Sequence, residues 1–378
     1  MEQQVRRLLD AGWATPSFLE ELPQDPPSGE ATAADRIRAI AATDYATLPV
    51  PEEFGGGGAG LVAVAGAQRA LGRLDPGPAI ALNMHSMTVG LMVDYWRRHR
   101  DTSWMLLESI AETHALVASA FAEPGGNGNF LSSRSVAVPD GKDFRISGTK
   151  YPCSLSTTAT LMCVTAQVRD TDETLIALVP ANSPGITHEG DWPSLGMRLS
   201  DTGRVRLTDV EIDRRLVFYR GPAGAVDDIL IAGVVWFAVL VSATYHGVLS
   251  TLLDRTAEQC AGTTSRSRSA LIGRAARELY ALGAATRALA ADWEHEALTG
   301  HTALAAAMGL RASLSDVRER FAGALTPVIG GRAYTEGHPA AALLLDSLAV
   351  HHHPPSLLVC DDAVGAYCTG QPISFDPA

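Results

Sequence analysis

The stretch that decides the fold is Leu195-Gly196-Met197-Arg198-Leu199-Ser200-Asp201-Thr202, followed closely by Leu207-Thr208-Asp209-Val210-Glu211-Ile212. The second half lies in GRVRLTDVEI (203–212), a short β-rich run. Similar runs precede it at a spacing of roughly ten residues. They are ALVASAFA (115–122), SRSVAVP (133–139), DFRISG (143–148), TLMCVTAQV (160–168) and TLIALVP (174–180). Turn residues separate these runs, so the region is predicted to form a small β-barrel or sandwich.

Helical patterns flank this region on both sides. Before it, apolar residues at helical spacing predict helices that include 61–74 and 78–96. After it, Ala- and Leu-rich sequence predicts a bundle with helices at 229–258, 269–296, 301–325 and 357–367. We therefore expect an α+β protein with an N-terminal helical domain (1–114), a central β-domain (115–222) and a C-terminal four-helix bundle (223–378).

The charge balance limits the possible partners. Lys and Arg number 30 and Asp and Glu number 42, which gives a net charge of −12. This balance argues against a nucleic-acid binder or an anionic-membrane binder, because both need a basic face. It also leaves the recognition of any phosphate to a few arginines. Charged residues make up only 19% of the chain, and because interface cores are depleted in charge we expect part of the surface to be buried in subunit contacts.

Cysteine usage and the N-terminus indicate a cytoplasmic protein. The 5 cysteines form no CxxC pair and no zinc spacing, and an odd number fits a reducing compartment. The start, MEQQVRRLLDAGW, has no apolar signal-peptide core. The longest apolar run (229–244) is shorter than the roughly 18 residues of a membrane span, so we interpret it as a buried bundle helix.

Four segments carry a resemblance to a known family. Besides the deciding stretch, they are VPEEFGG (50–56), AFAEPGG (120–126) and ISGTK (146–150). In this order and at these separations they resemble the acyl-CoA dehydrogenase superfamily of flavoproteins, over nearly the whole chain. The segment at 120–126 is similar to the family's Thr-Glu-Pro turn at the flavin edge.

The resemblance implies a flavin between the β-domain and the bundle, usually FAD, with FMN as the alternative. It also implies a homodimer or homotetramer in which a neighbouring subunit completes the site. A Gly-rich turn also lets backbone N–H groups approach a ring or a phosphate closely. The cofactor-binding candidates in the turn and in the later Gly-Gly motif are Ala122, Glu123, Gly128, Gly330 and Gly331.

The family's catalytic base is missing. Dehydrogenation needs a carboxylate next to the substrate's α-carbon. In most members this glutamate follows a Gly-Gly motif and an Arg-Asp pair. Here Asp346 aligns, but Leu345 stands at the Arg position and Pro354 at the glutamate position. The alternative location of the base falls near Gly233, which is not acidic either.

The tail instead carries His351-His352-His353-Pro354-Pro355. It resembles the family's flavin monooxygenase branch, typified by dibenzothiophene monooxygenase and sugar N-oxygenases, which work through a C4a-hydroperoxide. An imidazole can donate to such an oxygen species and titrates near neutral pH. The catalytic candidates are His353, His352 and His85, and Ser154 stands where this branch often has a serine near the flavin. The alternative for the consecutive histidines is a surface or interface position.

Further candidates concern the flavin phosphate and the substrate. Arg266 or Arg268 could bind the pyrophosphate, because arginine matches phosphate in a bidentate way, although a solvated helix start is the alternative. Plausible substrate-lining residues are Trp236, Tyr245 and His246, with core packing as their alternative role. No set of residues has the spacing of a metal site.

The sequence favours an enzyme, a flavin-dependent oxidoreductase that acts on an acyl thioester of CoA or a carrier protein, or on a related small substrate, without the usual glutamate base. The alternative is an oxygen-using flavin monooxygenase, and a second alternative is a flavin-free member with a non-redox role. A flavin reductase or an acyl carrier protein is the expected partner.

Overall fold

The structure is a computed structural model that describes residues 2–13, 31–189, 192–260 and 265–375. The first helices are α1 (Glu2–Asp10), α2 (Ala33–Ala41), α3 (Leu61–Leu74), α4 (Pro76–His99) and α5 (Trp104–Thr113). The strands are β1 (Val117–Ala120), β2 (Val136–Asp140), β3 (Asp143–Cys153), β4 (Leu161–Val168), β5 (Glu173–Pro180), β6 (Ile186–Glu189), β7 (Gly203–Ile212) and β8 (Val217–Pro222). The later helices are α6 (Asp228–Gln259), α7 (Arg266–Glu294), α8 (Gly300–Ile329), α9 (Pro339–Leu348) and α10 (Leu357–Cys368).

The strands form one sheet in the order β6-β7-β3-β2-β4-β5-β8, with β1 parallel to β4. In β7, Val205, Leu207, Val210 and Ile212 are buried, so one face of the strand joins the core. The predicted α+β arrangement is confirmed. The sequence patterns missed β6, because this short edge strand has half-exposed side chains and no apolar run, and they also missed β8.

Helix α6 is the centre of the C-terminal helices. It packs against α7 and α8, and its other sides contact α3 and α4. It is long and apolar enough to cross a membrane, but 94% of its most apolar window is buried in the protein. The prediction that the 229–244 run is a buried bundle helix is therefore confirmed.

Residues 195–202 of the deciding stretch form a loop before β7 that packs against α9. A Cβ on Gly196 would lie 2.3 Å from the backbone oxygen of Leu345 in α9, so only glycine fits there. The next residue, Met197, has a φ of 54° and donates its backbone N–H to Oδ1 of Asp346 at 2.7 Å. The sequence patterns did not predict α9, which supplies both contacts.

Asp201 fixes the other end of this loop. Its carboxylate accepts hydrogen bonds from the backbone N–H groups of Thr157 and Thr158, at 3.1 and 2.8 Å. It also accepts from both threonine hydroxyls at 2.6 Å. These bonds hold the turn after β3 beside the loop, so that Ser154 and Thr202 line the same cavity.

The substitution Gly196→Ala is expected to lower the free energy of unfolding by about 1–3 kcal/mol, because the new methyl group would meet the α9 backbone. Urea unfolding measures this change. Gly331→Ala is the matched control, since a Cβ there meets no atom within 4 Å. Equal losses in the two variants would contradict the close-approach explanation.

Candidate active site

A cavity of about 350 Å³ lies where the β-domain meets α4, α6 and the chain between α9 and α10. Most of its wall area is apolar. The apolar side chains are Ile80, Met84, Met87, Phe121, Ala122, Phe130, Pro152, Met197, Val234, Phe237, Ala349, Pro354 and Pro355. The polar and ionisable side chains are Ser119, Glu123, Asn129, Ser132, Tyr151, Ser154, Trp192, Ser200, Thr202, His352 and His353. An apolar wall with a few polar groups is typical of a small-molecule site.

Three hydroxyl groups form a connected cluster on the cavity wall. The Oγ1 of Thr202 lies 2.9 Å from the Oγ of Ser154 and 2.7 Å from the Oγ of Ser200. Since a hydroxyl both donates and accepts, the cluster can offer either function to a bound molecule. Sequence reasoning named only Ser154, although Ser200 and Thr202 belong to the deciding stretch.

Glu123 lines the cavity, but its carboxylate is already bonded within the protein. Its Oε1 accepts from Nζ of Lys150 at 2.5 Å and from the hydroxyls of Ser133 and Ser135 at 2.8 and 2.7 Å. Burial by itself would raise the pKa of Glu123, but the charge of Lys150 and these hydrogen bonds lower it to about 2. Glu123 is therefore an ionised, paired group that orders the turn after β1.

The same turn closes the cavity against the tail. Gly128 has a φ of 96°, and a Cβ on it would lie 3.1 Å from the Cα of Pro355. Ala122 and Gly128 both line the cavity, so this wall is built of backbone and small side chains. Such a wall allows a flat ring to approach closely.

His353 is the histidine held most firmly at the cavity. Its Nε2 lies 2.7 Å from Oη of Tyr245, and its ring packs edge-on against Phe237 with a centroid distance of 6.0 Å. Burial and, second, the guanidinium of Arg311 lower the pKa of His353 to about 3. The imidazole is therefore neutral at physiological pH.

His351 and His352 differ from His353 in their positions relative to the cavity. His352 is exposed and lies on the rim of the same cavity. The Nε2 of His351 lies 2.7 Å from Oε1 of Glu319, outside the cavity. Only His352 and His353 of the three are thus placed to meet a bound molecule.

Two arginines of α8 hold the segment that carries His353. Arg311 is 2% exposed, and its Nη2 donates to the backbone oxygens of Val350 and His353 at 2.6 and 2.7 Å. Arg318 donates to the hydroxyl of Ser347 at 3.1 Å. Sequence reasoning missed both arginines, because nothing in the chain separates a buried arginine from a solvated one.

The two positions at which the family's base was sought both lie in the cavity wall. Gly233 comes from α6 and Pro354 from the tail, and the two are far apart in the sequence. A Cβ on Gly233 would lie 2.7 Å from the ring of Phe130. Neither position offers a carboxylate.

His85 lies behind the cavity, not in its wall. Its Nε2 donates to the backbone oxygen of Ala46 at 2.8 Å, and its Nδ1 accepts the backbone N–H of Val117 at 3.0 Å. Burial lowers the pKa of His85 to about 4. With both ring nitrogens occupied, His85 ties α4 to β1, and the structure gives it this packing role in place of the expected catalytic one.

The substrate candidates on α6 also lie outside the cavity wall. Nε1 of Trp236 donates to Asp94 at 2.7 Å, and Nδ1 of His246 accepts from Nε of Arg69 at 3.0 Å. Both are buried in the core, so they have the core-packing role that the sequence analysis gave as the alternative. Tyr245 is also buried but reaches the cavity indirectly, through His353.

The remaining cofactor candidates do not meet at the cavity. Arg266 and Arg268 are exposed at the start of α7, after residues 261–264, which lie outside the described residues. Gly330 and Gly331 are exposed in a 3-10 turn after α8. Within this chain these four residues do not line the cavity.

Two features of the cavity suit a flavin. In the part of the chain that the structure describes, the buried indole Nε1–H of Trp192 has no hydrogen-bond partner, although its side chain lines the cavity. Sequence reasoning did not single out Trp192. A second cavity of about 460 Å³ adjoins the first through Asn129 and Ser132, and amides and hydroxyls such as those of Asn127 and Gln167 line it. The residues therefore fit a flat apolar ring with carbonyl acceptors and a polar tail.

The chain is similar to known proteins along most of its length. The family descriptions "Acyl-CoA dehydrogenase, N-terminal domain" and "Acyl-CoA dehydrogenase, middle domain" match residues 15–99 and 118–210. Isobutylamine N-hydroxylase of Streptomyces viridifaciens is 29% identical over 370 residues, which cover 94% of each chain. L-evernosamine nitrososynthase of a Micromonospora species is 30% identical over 347 residues, which cover 86% of this chain and 80% of that protein.

A solved structure is similar over most of the chain. It is KijD3 in complex with FMN and dTDP-3-amino-2,3,6-trideoxy-4-keto-3-methyl-D-glucose. The TM-score is 0.81 at 25% sequence identity, with 90% of this chain and 88% of that chain covered.

Proposed function

Since the chain belongs to the acyl-CoA dehydrogenase family of flavin-dependent oxidoreductases, we propose that it is an oxygenase that hydroxylates the nitrogen of a small primary amine. One atom of O2 is inserted into an N–H bond and gives a hydroxylamine. The other atom leaves as water with two protons. The two electrons come from NADH or NADPH through a separate flavin reductase.

The observation that carries this proposal is the lack of a free charge in the cavity wall. Among the lining residues within the described ranges, the one carboxylate is that of Glu123, which is paired with Lys150, and no lysine or arginine is present. An amine reacts through its lone pair, so only its neutral form is reactive. A cavity without a counter-charge disfavours the ammonium form and admits the neutral one.

The same wall argues against acyl-thioester dehydrogenation. That reaction needs a base within hydrogen-bond reach of an α-proton. Gly233 and Pro354 cannot serve, and His353 is a weak base because of its low pKa. The names of two relatives, isobutylamine N-hydroxylase and L-evernosamine nitrososynthase, also favour an amine substrate.

The size and lining of the cavity favour a short alkyl group on the amine. Its wall contains the rings of Phe121, Phe130 and Phe237, and the first two stack at a centroid distance of 4.8 Å. An alkyl chain buried against such a wall gains about 25 cal/mol for each Å² removed from water. We therefore place a branched alkylamine, such as isobutylamine, ahead of an amino sugar.

The residues proposed to hold the flavin are Ala122, Gly128, Ser154, Thr202 and Trp192. When bound, the flavin passes the electrons of the reductase to oxygen. The amides of the second cavity suit its polar tail, whether the cofactor is FAD or FMN. Arg266 and Arg268 stay candidates for a phosphate of a flavin in a neighbouring subunit of a homodimer or homotetramer.

The test is a turnover assay with the purified protein, FAD or FMN, a flavin reductase, NADH, O2 and a panel of amines. We expect isobutylamine to gain one oxygen atom, detected by mass spectrometry. An amino-sugar nucleotide in the same panel should react more slowly. Anaerobic mixing with acyl-CoA esters is the contrasting assay. Flavin bleaching by an acyl-CoA, with no hydroxylated amine from any member of the panel, would overturn the proposal.

The substitution Pro354→Glu is expected to slow amine hydroxylation by about tenfold or more, because a carboxylate in the wall stabilises the unreactive ammonium form. The initial rate of hydroxylamine formation measures this effect. Pro354→Gln is the matched control, since it has the same size without the charge. Equal losses in the two variants would mean that charge is not the reason.

A further inference from the structure

A buried phenol stands directly behind the histidine of the cavity. Tyr245, on α6, is fully buried and does not line the cavity, yet its Oη lies 2.7 Å from Nε2 of His353. The two ring centroids are 5.6 Å apart. One ring nitrogen of His353 therefore faces the protein interior.

The direction of this hydrogen bond follows from the hydrogen-bond acceptors that are available to the Tyr245 hydroxyl. Within the described residues, the hydroxyl of Tyr245 makes its hydrogen bond to His353 and to no other group. Burial raises the pKa of Tyr245, so the hydroxyl keeps its proton and must place it on an acceptor. The imidazole nitrogen is that acceptor, and Nε2 of His353 therefore carries a lone pair.

A neutral imidazole carries one N–H, so the proton of His353 lies on Nδ1. Among the described residues, this nitrogen has no hydrogen-bond partner, and the side chain lines the cavity. Arg311 holds the backbone oxygen of His353 at 2.7 Å, and Phe237 packs against the ring edge. The ring is thus fixed from behind and from the side, with its N–H left for a bound molecule.

We propose that Tyr245 is a positioning residue that holds His353 in the Nδ1–H tautomer and so makes it a hydrogen-bond donor to the cavity. This inference rests on the proposed function for its chemical use: a donor at this place can bond to the oxygen atom that is being transferred. A base that removes an α-proton would need the opposite arrangement, a lone pair that faces the cavity. The tautomer itself does not depend on the substrate.

The test is the side-chain ¹⁵N spectrum of the flavin-free protein labelled at its 11 histidines. His353→Gln assigns the signals of His353 by their loss. We expect a pyrrole-type Nδ1 and a pyridine-type Nε2 for His353 in the wild type. In Tyr245→Phe we expect roughly half or more of this ring to shift to the Nε2–H tautomer, because the donor to Nε2 is gone.

Tyr219→Phe is the matched control. It removes another buried phenol, which donates to Asp227 at 2.5 Å, and it should leave the signals of His353 unchanged. An Nε2–H tautomer of His353 in the wild type would overturn the inference, and this result does not require Tyr245→Phe to fold. An unchanged tautomer in Tyr245→Phe would overturn the role of Tyr245. A wild-type Nδ1–H tautomer together with a failed amine assay would instead contradict only the proposed function.

Discussion

Glu123→Gln is expected to lower the free energy of unfolding by about 3–5 kcal/mol, because it leaves a buried ammonium without its counter-charge. The side chain of Lys150 is 0% exposed and that of Glu123 only 5%. Lys150 also donates to the backbone oxygen of Thr165 at 2.7 Å, which holds the ammonium in place after the carboxylate is removed. Urea unfolding near pH 7 measures the loss.

Two controls separate this pair from ordinary ion pairs. Glu123→Gln combined with Lys150→Met should be more stable than Glu123→Gln alone, since no unpaired charge then remains. Glu189→Gln breaks an exposed ion pair, in which the side chain of Glu189 is 40% exposed and that of Arg206 is 51% exposed. It should change the free energy of unfolding by only about 0.2–1 kcal/mol. Equal effects of Glu123→Gln and Glu189→Gln would refute the burial argument.

The pH dependence has a definite sign. The folded protein lowers the pKa of Glu123 from 4.5 to about 2. The contribution of this carboxylate to stability is therefore complete above pH 4.5 and is lost as the pH falls towards 2. Between these values the stability of Glu123→Gln should fall less steeply than that of the wild type, and unfolding curves at several pH values test this.

His353→Phe is expected to reduce kcat for amine hydroxylation by about 10²–10³-fold, the usual effect of removing a donor aimed at the reacting atoms. A phenyl ring fills the same space beside Phe237 and Tyr245 but has no N–H. Steady-state rates of hydroxylamine formation measure this loss.

Two further variants make this result specific. His353→Gln keeps an N–H donor and should retain more activity than His353→Phe. His352→Phe changes the exposed rim and should have a small effect. A loss in His352→Phe as large as in His353→Phe would contradict the assignment of the donor to His353.

The order of helices, strands and bundle could be predicted because each part has its own periodicity. The runs that became β1 to β5 and β7 are short and apolar, and the bundle helices are long and Ala-rich. Helix α9 was missed although it supports the deciding stretch. Its sequence, PAAALLLDSL, is a short apolar run that periodicity alone does not assign.

The candidate site could be predicted only in part. The turn at 122–128 and the tail at His353 were found through their resemblance to motifs of the family. Trp236 and His246 were misplaced because α6 is buried on nearly every side. A helix that is apolar all round has no polar face, so its sequence does not show which side meets the cavity.

The absence of an unpaired charge in the described cavity wall also has a consequence for which amines are turned over. An alkylamine with the basicity of a lysine side chain, pKa about 10.4, is neutral in only about one molecule in a few thousand at pH 7. Its apparent affinity is reduced by this fraction, because the neutral molecule alone is competent. Among amines of equal shape, the enzyme should therefore prefer the less basic ones, so that electron-withdrawing substituents near the nitrogen act as a specificity determinant without contacting any side chain.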